Sequence, residues 1–537
     1  MAGLSPARGM RPTRRDLLVV ILTLGLAYLY FSTPEVHKSV SSAASSSARL
    51  KALGLWHSTP ERSFDASVTR PHQTTESLIT HLRDHTPGWT VFEKVYLYDN
   101  KLYVVTEDKS KWPELRMMTS TGLPADNVPG NMEAREPKGD EITYITPEKA
   151  LELWGDNIMR YEGMSYLWND GQFIDHYYHF AAELFLGTWR VHATLDPHID
   201  EKGHSSLEYP ARAIFFHQDH LQWRDYSNFN SYMWDGLFPN SAMLFPRDME
   251  DLGKITAHGS IKKAYQLEVA ILADRSAAFR GEFTGPTART VASANALGTV
   301  SRWWWEPIRR QMLRFSGVPE DVINRSLEGY GAVNPDFTEG TVDAPQYASL
   351  KPLAKPGDYK PVVTYISRPP PRRSLTGSSH AALVAALKEA APKLGFELNI
   401  VNMGKLSKEE QVQLAARTTI MIGVHGNGLT HLVWMPPTPR SAVIELFCRG
   451  GFAKDYQWTA QALGIRHFAV QHDLVATSPK EFKVDYPDGD EGFQSDRITV
   501  DPQTVIDIIR VRLEGKSFAS ARNGPFRPAD DLQPKGL

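Results

Sequence analysis

Asp175, His176, His179 and Glu183 fall within nine consecutive positions. On a helix, His179 and Glu183 share a face four residues apart, and His176 and His179 share one three apart. A carboxylate beside an imidazole orients the ring and raises its basicity, which suits removal of a proton from a hydroxyl. The same spacing can hold a metal ion, and it also serves as a plain structural polar pair. A second concentration is Gly423-Val424-His425-Gly426-Asn427-Gly428-Leu429-Thr430-His431, which follows one apolar run and precedes another closed by Pro436. Glycines let the backbone approach a ligand, and free amides at a helix start favour an anion such as a diphosphate. A simple tight turn is the alternative. It is not a P-loop, because no Gly-Lys-Ser/Thr follows.

Arginines gather at the end of a third apolar run, as Ser367-Arg368 followed by Arg372 and Arg373. Guanidinium forks match phosphate oxygens, although a solvated basic loop shaped by the prolines at 369–371 has the same composition. Glu445 ends a further run and could accept hydrogen bonds from a ribose, by analogy with dinucleotide-binding folds. Asp274-Arg275 is one more polar pair at a strand end.

The elements that must position these groups follow from patterning. At 537 residues the chain exceeds one compact core. Residues 90–359 mix short strands and helices, with strands over 96–105 turning at Asp99-Asn100, a helix over 177–186 and a buried strand over 267–274. Trp303, Trp304 and Trp305 are adjacent and cannot share one helix face, so core or interlobe packing is favoured over stacking on sugar. After Pro361 the pattern alternates: strand 362–366, helix 381–391 stopped by Pro392 and Gly395, then strand 396–401. A Ser407–Glu410 capping box opens the next helix, and strands 419–424 and 442–447, helix 454–463 and strand 467–470 complete the series. Such alternation implies a doubly wound parallel sheet with ligands beyond the carboxyl ends of its strands. Asp501-Pro502 start a late helix to Glu514, expected to cross back and brace the first lobe. The expected fold is therefore α/β, with two Rossmann-like lobes behind an N-terminal membrane anchor and stem.

That anchor is read from Arg8, Arg11, Arg14 and Arg15 preceding an apolar run at 17–31. The positive-inside rule keeps the arginines cytosolic and sends the rest to the lumen. The expected divisions are a cytosolic tail 1–16, signal anchor 17–33, stem 34–89, first lobe 90–359, second lobe 360–500 and a C-terminal helix and tail 501–537. Asn324 heads the one glycosylation sequon. Cys448 is the sole cysteine, excluding an intramolecular disulfide and reading as a buried small residue rather than a nucleophile. A net charge of −3 argues against nucleic-acid binding through bulk charge.

The GVHGNGLTHLVWMPP stretch with the later VIEL, the strand ending in ISR, the ADRS segment and the DHYYHFAAE helix together resemble glycosyltransferase family 61 over roughly residues 160–475. This family includes an animal EGF-domain O-linked N-acetylglucosamine transferase and plant arabinosyl- and xylosyltransferases. The resemblance implies a GT-B fold, inversion without metal or cofactor, a UDP-sugar donor of N-acetylglucosamine or xylose type, a glycan or glycoprotein acceptor, and Golgi or endoplasmic reticulum membrane residence. Arg368, Arg372, His425, Gly426, Asn427, Gly428, Thr430 and Glu445 then fall to the donor, and His179, Glu183 and Asp175 to catalysis. Asn427 stands where many members carry a small residue, and residues 218–240 have no assigned counterpart. Asp488-Gly489-Asp490 has the Asp-x-Asp form of metal-dependent transferases but reads as a solvated turn. Two rivals are a zinc-dependent hydrolase using His176, His179 and Glu183, and a non-catalytic glycan-binding protein.

Overall fold

A computed structural model describes residues 73–126, 128–287, 289–325, 360–438, 440–477, 482–514 and 527–528. The anchor segment 17–33 lies outside them. Among the described residues no helix is long and apolar enough to cross a membrane.

The first lobe is built on β1 (His81–Thr86), β2 (Trp89–Tyr98), β3 (Lys101–Val105), β4 (Ile142–Ile145), β5 (Ile158–Trp168), β6 (Arg212–Phe215), β7 (Ala242–Leu244) and β8 (Ala264–Ala273). They form one eight-stranded sheet in the order β4-β3-β2-β8-β5-β6-β7, with β1 beside β2. Strands β8, β5, β6 and β7 run parallel, whereas β2 is antiparallel to β1, β3 and β8. The lobe is thus mixed rather than uniformly Rossmann-like, and local turns are the reason. Asp99 and Asn100 both take left-handed φ, 48° and 58°, giving the two-residue turn whose twist matches a hairpin. Gly88 turns β1 into β2 at φ 82°, where a Cβ would stand 2.5 Å from Asp274 O. Residues 81–86, placed in the stem by the sequence reading, are therefore part of the sheet.

The second lobe has β9 (Val362–Ile366), β10 (Glu397–Val401), β11 (Ile420–Val424), β12 (Ala442–Phe447) and β13 (Arg466–Gln471), all parallel in the order β10-β9-β11-β12-β13. Two short strands, β14 (Leu474–Ala476) and β15 (Arg527–Pro528), extend the edge. This is the expected doubly wound sheet, and Ser407 and Glu410 close the expected capping box. Two expectations change. The helix Gly377–Leu394 runs through Pro392 and ends only at Gly395, whose φ of 73° suits a glycine cap. The late helix Pro502–Leu513 packs on that same helix, setting Val505, Ile508 and Ile509 against Leu383 and Leu387. It braces the second lobe instead of the first.

One apolar core passes through both lobes, taking in Trp234, Trp304 and Trp305 from the first and Leu432, Trp434 and Trp458 from the second. Polar ends of the rings fix the seam: Trp305 Nε1–H donates to Val433 O (2.8 Å), Trp304 Nε1–H to Ala462 O (3.3 Å) and Trp434 Nε1–H to the Tyr177 hydroxyl (2.8 Å). The rings of Trp305 and Trp434 stack at 6.2 Å. The tryptophan run is interlobe packing, as its adjacency implied. Trp434 is fully buried, so Trp434→Ala should cost about 3–5 kcal/mol. Chemical denaturation checks this, and a loss below about 1 kcal/mol would show that the seam does not carry the fold.

Candidate active site

The first-lobe half of the site hangs on an irregular helix. Phe173, in the left-handed region at φ 53°, turns the chain into it. A π-helical segment His179–Phe185 follows and continues as the α-helix Leu186–His192. Such wide turns recur at functional sites. Here the segment brings His179 Nδ1 to 2.6 Å from Glu183 Oε2, as the four-residue spacing predicted.

Glu183 is buried, and Arg275 explains how. Its Nη1 donates to Glu183 Oε2 at 2.7 Å, while its Nε and Nη2 grip both oxygens of buried Asp170 at 2.5 and 3.0 Å. Burial alone would raise the Glu183 carboxyl, but His179, Arg275 and Arg289 outweigh it and hold the group well below the ordinary carboxylate range. An ionised carboxylate only accepts, so His179 Nδ1 carries the proton. In the neutral ring Nε2 is then left as an acceptor. Asp274 does not face the cleft: it caps the turn Arg275–Ala278, bonds Asn169 and Ser120, and burial pushes its carboxyl to about 6. Asp175 does not join the dyad either; its side chain is exposed. The His176 ring lies 5.2 Å from that of His179.

The second-lobe half begins where β11 ends. Arg368, just past β9, lays its guanidinium across the glycine loop, with Nη1 donating to His425 O at 3.1 Å. A Cβ on Gly426 would meet that Nη1 at 1.9 Å, and one on Gly428 would meet Ile366 Cγ2 at 3.1 Å. A side chain at Gly426 would have to push the guanidinium off the loop, and one at Gly428 would need Ile366 to give by a few tenths of an ångström. The loop then enters the 3-10 helix Asn427–Trp434. Thr430 is buried and donates to Asn427 Oδ1 at 3.1 Å. That bond braces the loop from inside.

Glu445 needs a larger correction. It is fully buried, with one oxygen 2.5 Å from His425 Nδ1 and the other 2.7 Å from His467 Nε2. Both oxygens are engaged and the residue has no exposed surface to offer a ribose; it orients His425. Burial raises the Glu445 carboxyl and lowers both imidazoles, His467 to about 3 and His425 well below its usual value, with Arg373, Arg289 and Arg368 adding to the latter. All three groups shift toward their uncharged forms, as a water-excluded cluster must. The arginine beside this cluster is Arg373, whose guanidinium lies 5.4 Å over the Phe493 ring. Arg372, the residue expected there, is exposed.

The two halves meet. Arg289 of the first lobe donates from Nη2 to Asp455 of the second at 2.7 Å, with Nη1 3.5 Å from Glu183 Oε1. The next residue, Tyr456, meets Tyr178 edge-on at 4.9 Å and His425 edge-on at 5.4 Å, and Tyr178 in turn touches His179. Phe493 packs 5.0 Å from His425 and 4.9 Å from Tyr486. Between those two aromatics, Asp488-Gly489-Asp490 is exposed, as a solvated turn should be. Asn324 is exposed on the helix Glu320–Arg325, its Oδ1 accepting from Arg310 at 3.1 Å, while Ser326 of the sequon lies outside the described residues.

Arg289, Arg373, Asp455 and Tyr456 complete the cleft, and His467 stands behind it; the sequence reading gave none of these five a settled role. His467 carried a signal, a polar side chain inside an apolar strand. Arg289 carried none.

Residues 255–444 match the family model described as Glycosyltransferase 61. This bears out the resemblance drawn from the ADRS, ISR and glycine-loop segments, all within the match. His179 and Glu183 precede it and Glu445 follows its last residue. No curated protein matches the chain.

The Arg368–Gly426 contact yields a double-mutant prediction. Gly426→Ala should destabilise by about 1–3 kcal/mol through overpacking, and by much less in an Arg368→Ala background. Equal costs in the two backgrounds, measured by denaturation, would mean that the guanidinium does not lie on the loop.

Proposed function

We propose, from the Glycosyltransferase 61 match over residues 255–444 and the geometry of the cleft, that this chain is an inverting glycosyltransferase. It moves a sugar of N-acetylglucosamine or xylose type from a UDP-sugar to a hydroxyl of a glycan or glycoprotein, and needs neither metal nor cofactor. In this reading the N-terminal segment anchors a lumenal catalytic part in the Golgi or endoplasmic reticulum membrane. One observation carries the chemistry: a histidine–carboxylate dyad on the first lobe and an arginine-flanked glycine loop on the second are joined by the Tyr178–Tyr456 contact.

The acceptor hydroxyl gives its proton to His179 Nε2 as its oxygen bonds to the anomeric carbon from the face opposite the diphosphate. The bond between that carbon and the phosphate oxygen breaks as the new one forms, so the configuration inverts. The electron pair leaves on the β-phosphate, where Arg368, Arg373 and the backbone amides opening Asn427–Trp434 stabilise it. Glu183, locked by Arg275, holds the ring tautomer that makes Nε2 the acceptor and stabilises the imidazolium that follows. Positioning and fixed charge supply most of the acceleration in such a site.

His179→Ala should lower kcat about 10²–10⁴-fold, the usual contribution of a positioned base, with little change in the donor KM. The assay is transfer from a panel of UDP-sugars in chelator. Normal turnover by the variant would remove His179 from the mechanism. Transfer lost in chelator and restored by a divalent metal would contradict the metal-independent mechanism.

A further inference from the structure

Three guanidiniums press on the His425 imidazole: Arg368 and Arg373 from the second lobe, and Arg289 from the first. Arg289 and Arg373 bracket one aromatic nest. On one side Arg373 lies over Phe493, Phe493 meets Tyr486 edge-on, and the Tyr486 phenol lies beside Arg289. On the other, Arg289 holds Asp455, whose neighbour Tyr456 meets His425 edge-on. The Nε atoms of both arginines are buried with no hydrogen-bond partner among the described residues. A buried donor left unpaired is costly, and guanidinium donors are best matched by phosphate or carboxylate oxygens. Two carboxylates meet the terminal nitrogens of Arg289: Asp455 takes Nη2 at 2.7 Å, and Glu183 Oε1 lies 3.5 Å from Nη1, its Oε2 being taken by Arg275 and His179; Nε has neither.

We infer that Arg289 and Arg373 form the two jaws of a diphosphate seat, so that the acceptor-side lobe contributes a ligand to the leaving group of the donor. The inference rests on the nucleotide-sugar reading above and adds a residue that neither the donor-lobe motifs nor strand-end geometry indicate. It also gives Asp455 a role, as the counter-ion that occupies Arg289 until the diphosphate competes for it. Donor binding then draws directly on the guanidinium beside Glu183.

The test is calorimetric titration of UDP, and separately of inorganic pyrophosphate, into the full chain and four variants. Arg289→Gln and Arg373→Gln should each weaken UDP about tenfold or more, and pyrophosphate in parallel, because the lost contacts are to phosphate. Arg289→Lys should fall between, keeping charge without the fork; it also serves if the glutamine variant does not fold. Asp455→Asn separates a ligand from a strut: with its competitor weakened, Arg289 should bind UDP as well as or better than in the wild type. Equal weakening by Arg289→Gln and Asp455→Asn would make Arg289 a structural tie and overturn the inference. Sensitivity to Arg373→Gln without sensitivity to Arg289→Gln would also overturn it, while leaving the proposed function standing. Failure of the wild-type chain to bind UDP or pyrophosphate at millimolar concentration would remove both.

Discussion

Everything in the cleft depends on the apolar seam that makes the two lobes share a core. Trp305 stacked on Trp434, with each indole N–H tied to an oxygen of the opposite lobe, leaves little room for one lobe to slide on the other. A close-packed interior transmits strain and resists small displacements. Without that constraint, the His179–Glu183 dyad and the Arg368–His425 loop would be two half-sites on separate bodies. With it, Tyr178 and Tyr456 set their relative register to side-chain precision.

A second constraint acts on charge. Buried ions persist only when paired and hydrogen-bonded. The buried and partly buried ionic side chains form a chain from Asp170 through Arg275 and Glu183 to Arg289 and Asp455. Removing one member of such a pair costs about 3–5 kcal/mol because its partner is left uncompensated. That cost keeps Glu183 ionised and His179 in one tautomer, so the same interactions that stabilise the fold fix the proton inventory. The His425–Glu445–His467 cluster works the other way, moving toward neutrality because burial outweighs the pull of Arg373 and Arg289 on Glu445.

The second lobe was legible wherever structure is local. Buried parallel strands read as continuous apolar runs, and β9 and β12 span the same residues that patterning indicated. Ser407 with Glu410, and Asp501 with Pro502, marked helix starts because capping is a short-range interaction. The His179–Glu183 contact was equally readable, since helical spacing alone creates it. What failed was long-range. The first sheet's strand order follows from pairings between residues far apart in sequence, so its antiparallel half could not be read from alternation. Glu445 looked like a ribose ligand because a strand-end carboxylate says nothing of the two imidazoles that claim it. Arg372 was preferred to Arg373 because the proline turn before them sets which side chain turns inward. Arg289 lies in no periodic pattern at all; its role exists only where two lobes meet.

The central claim is that one site is built by both lobes, and hydrogen–deuterium exchange of the full chain with and without saturating UDP tests it most directly. Ligand binding to a shared site suppresses opening of every element that contacts it. The account predicts added protection in Asn427–Trp434 and, across the seam, in the His179–Phe185 segment and around Arg289. Protection confined to the glycine loop and its flanking strands, or none anywhere, would contradict it.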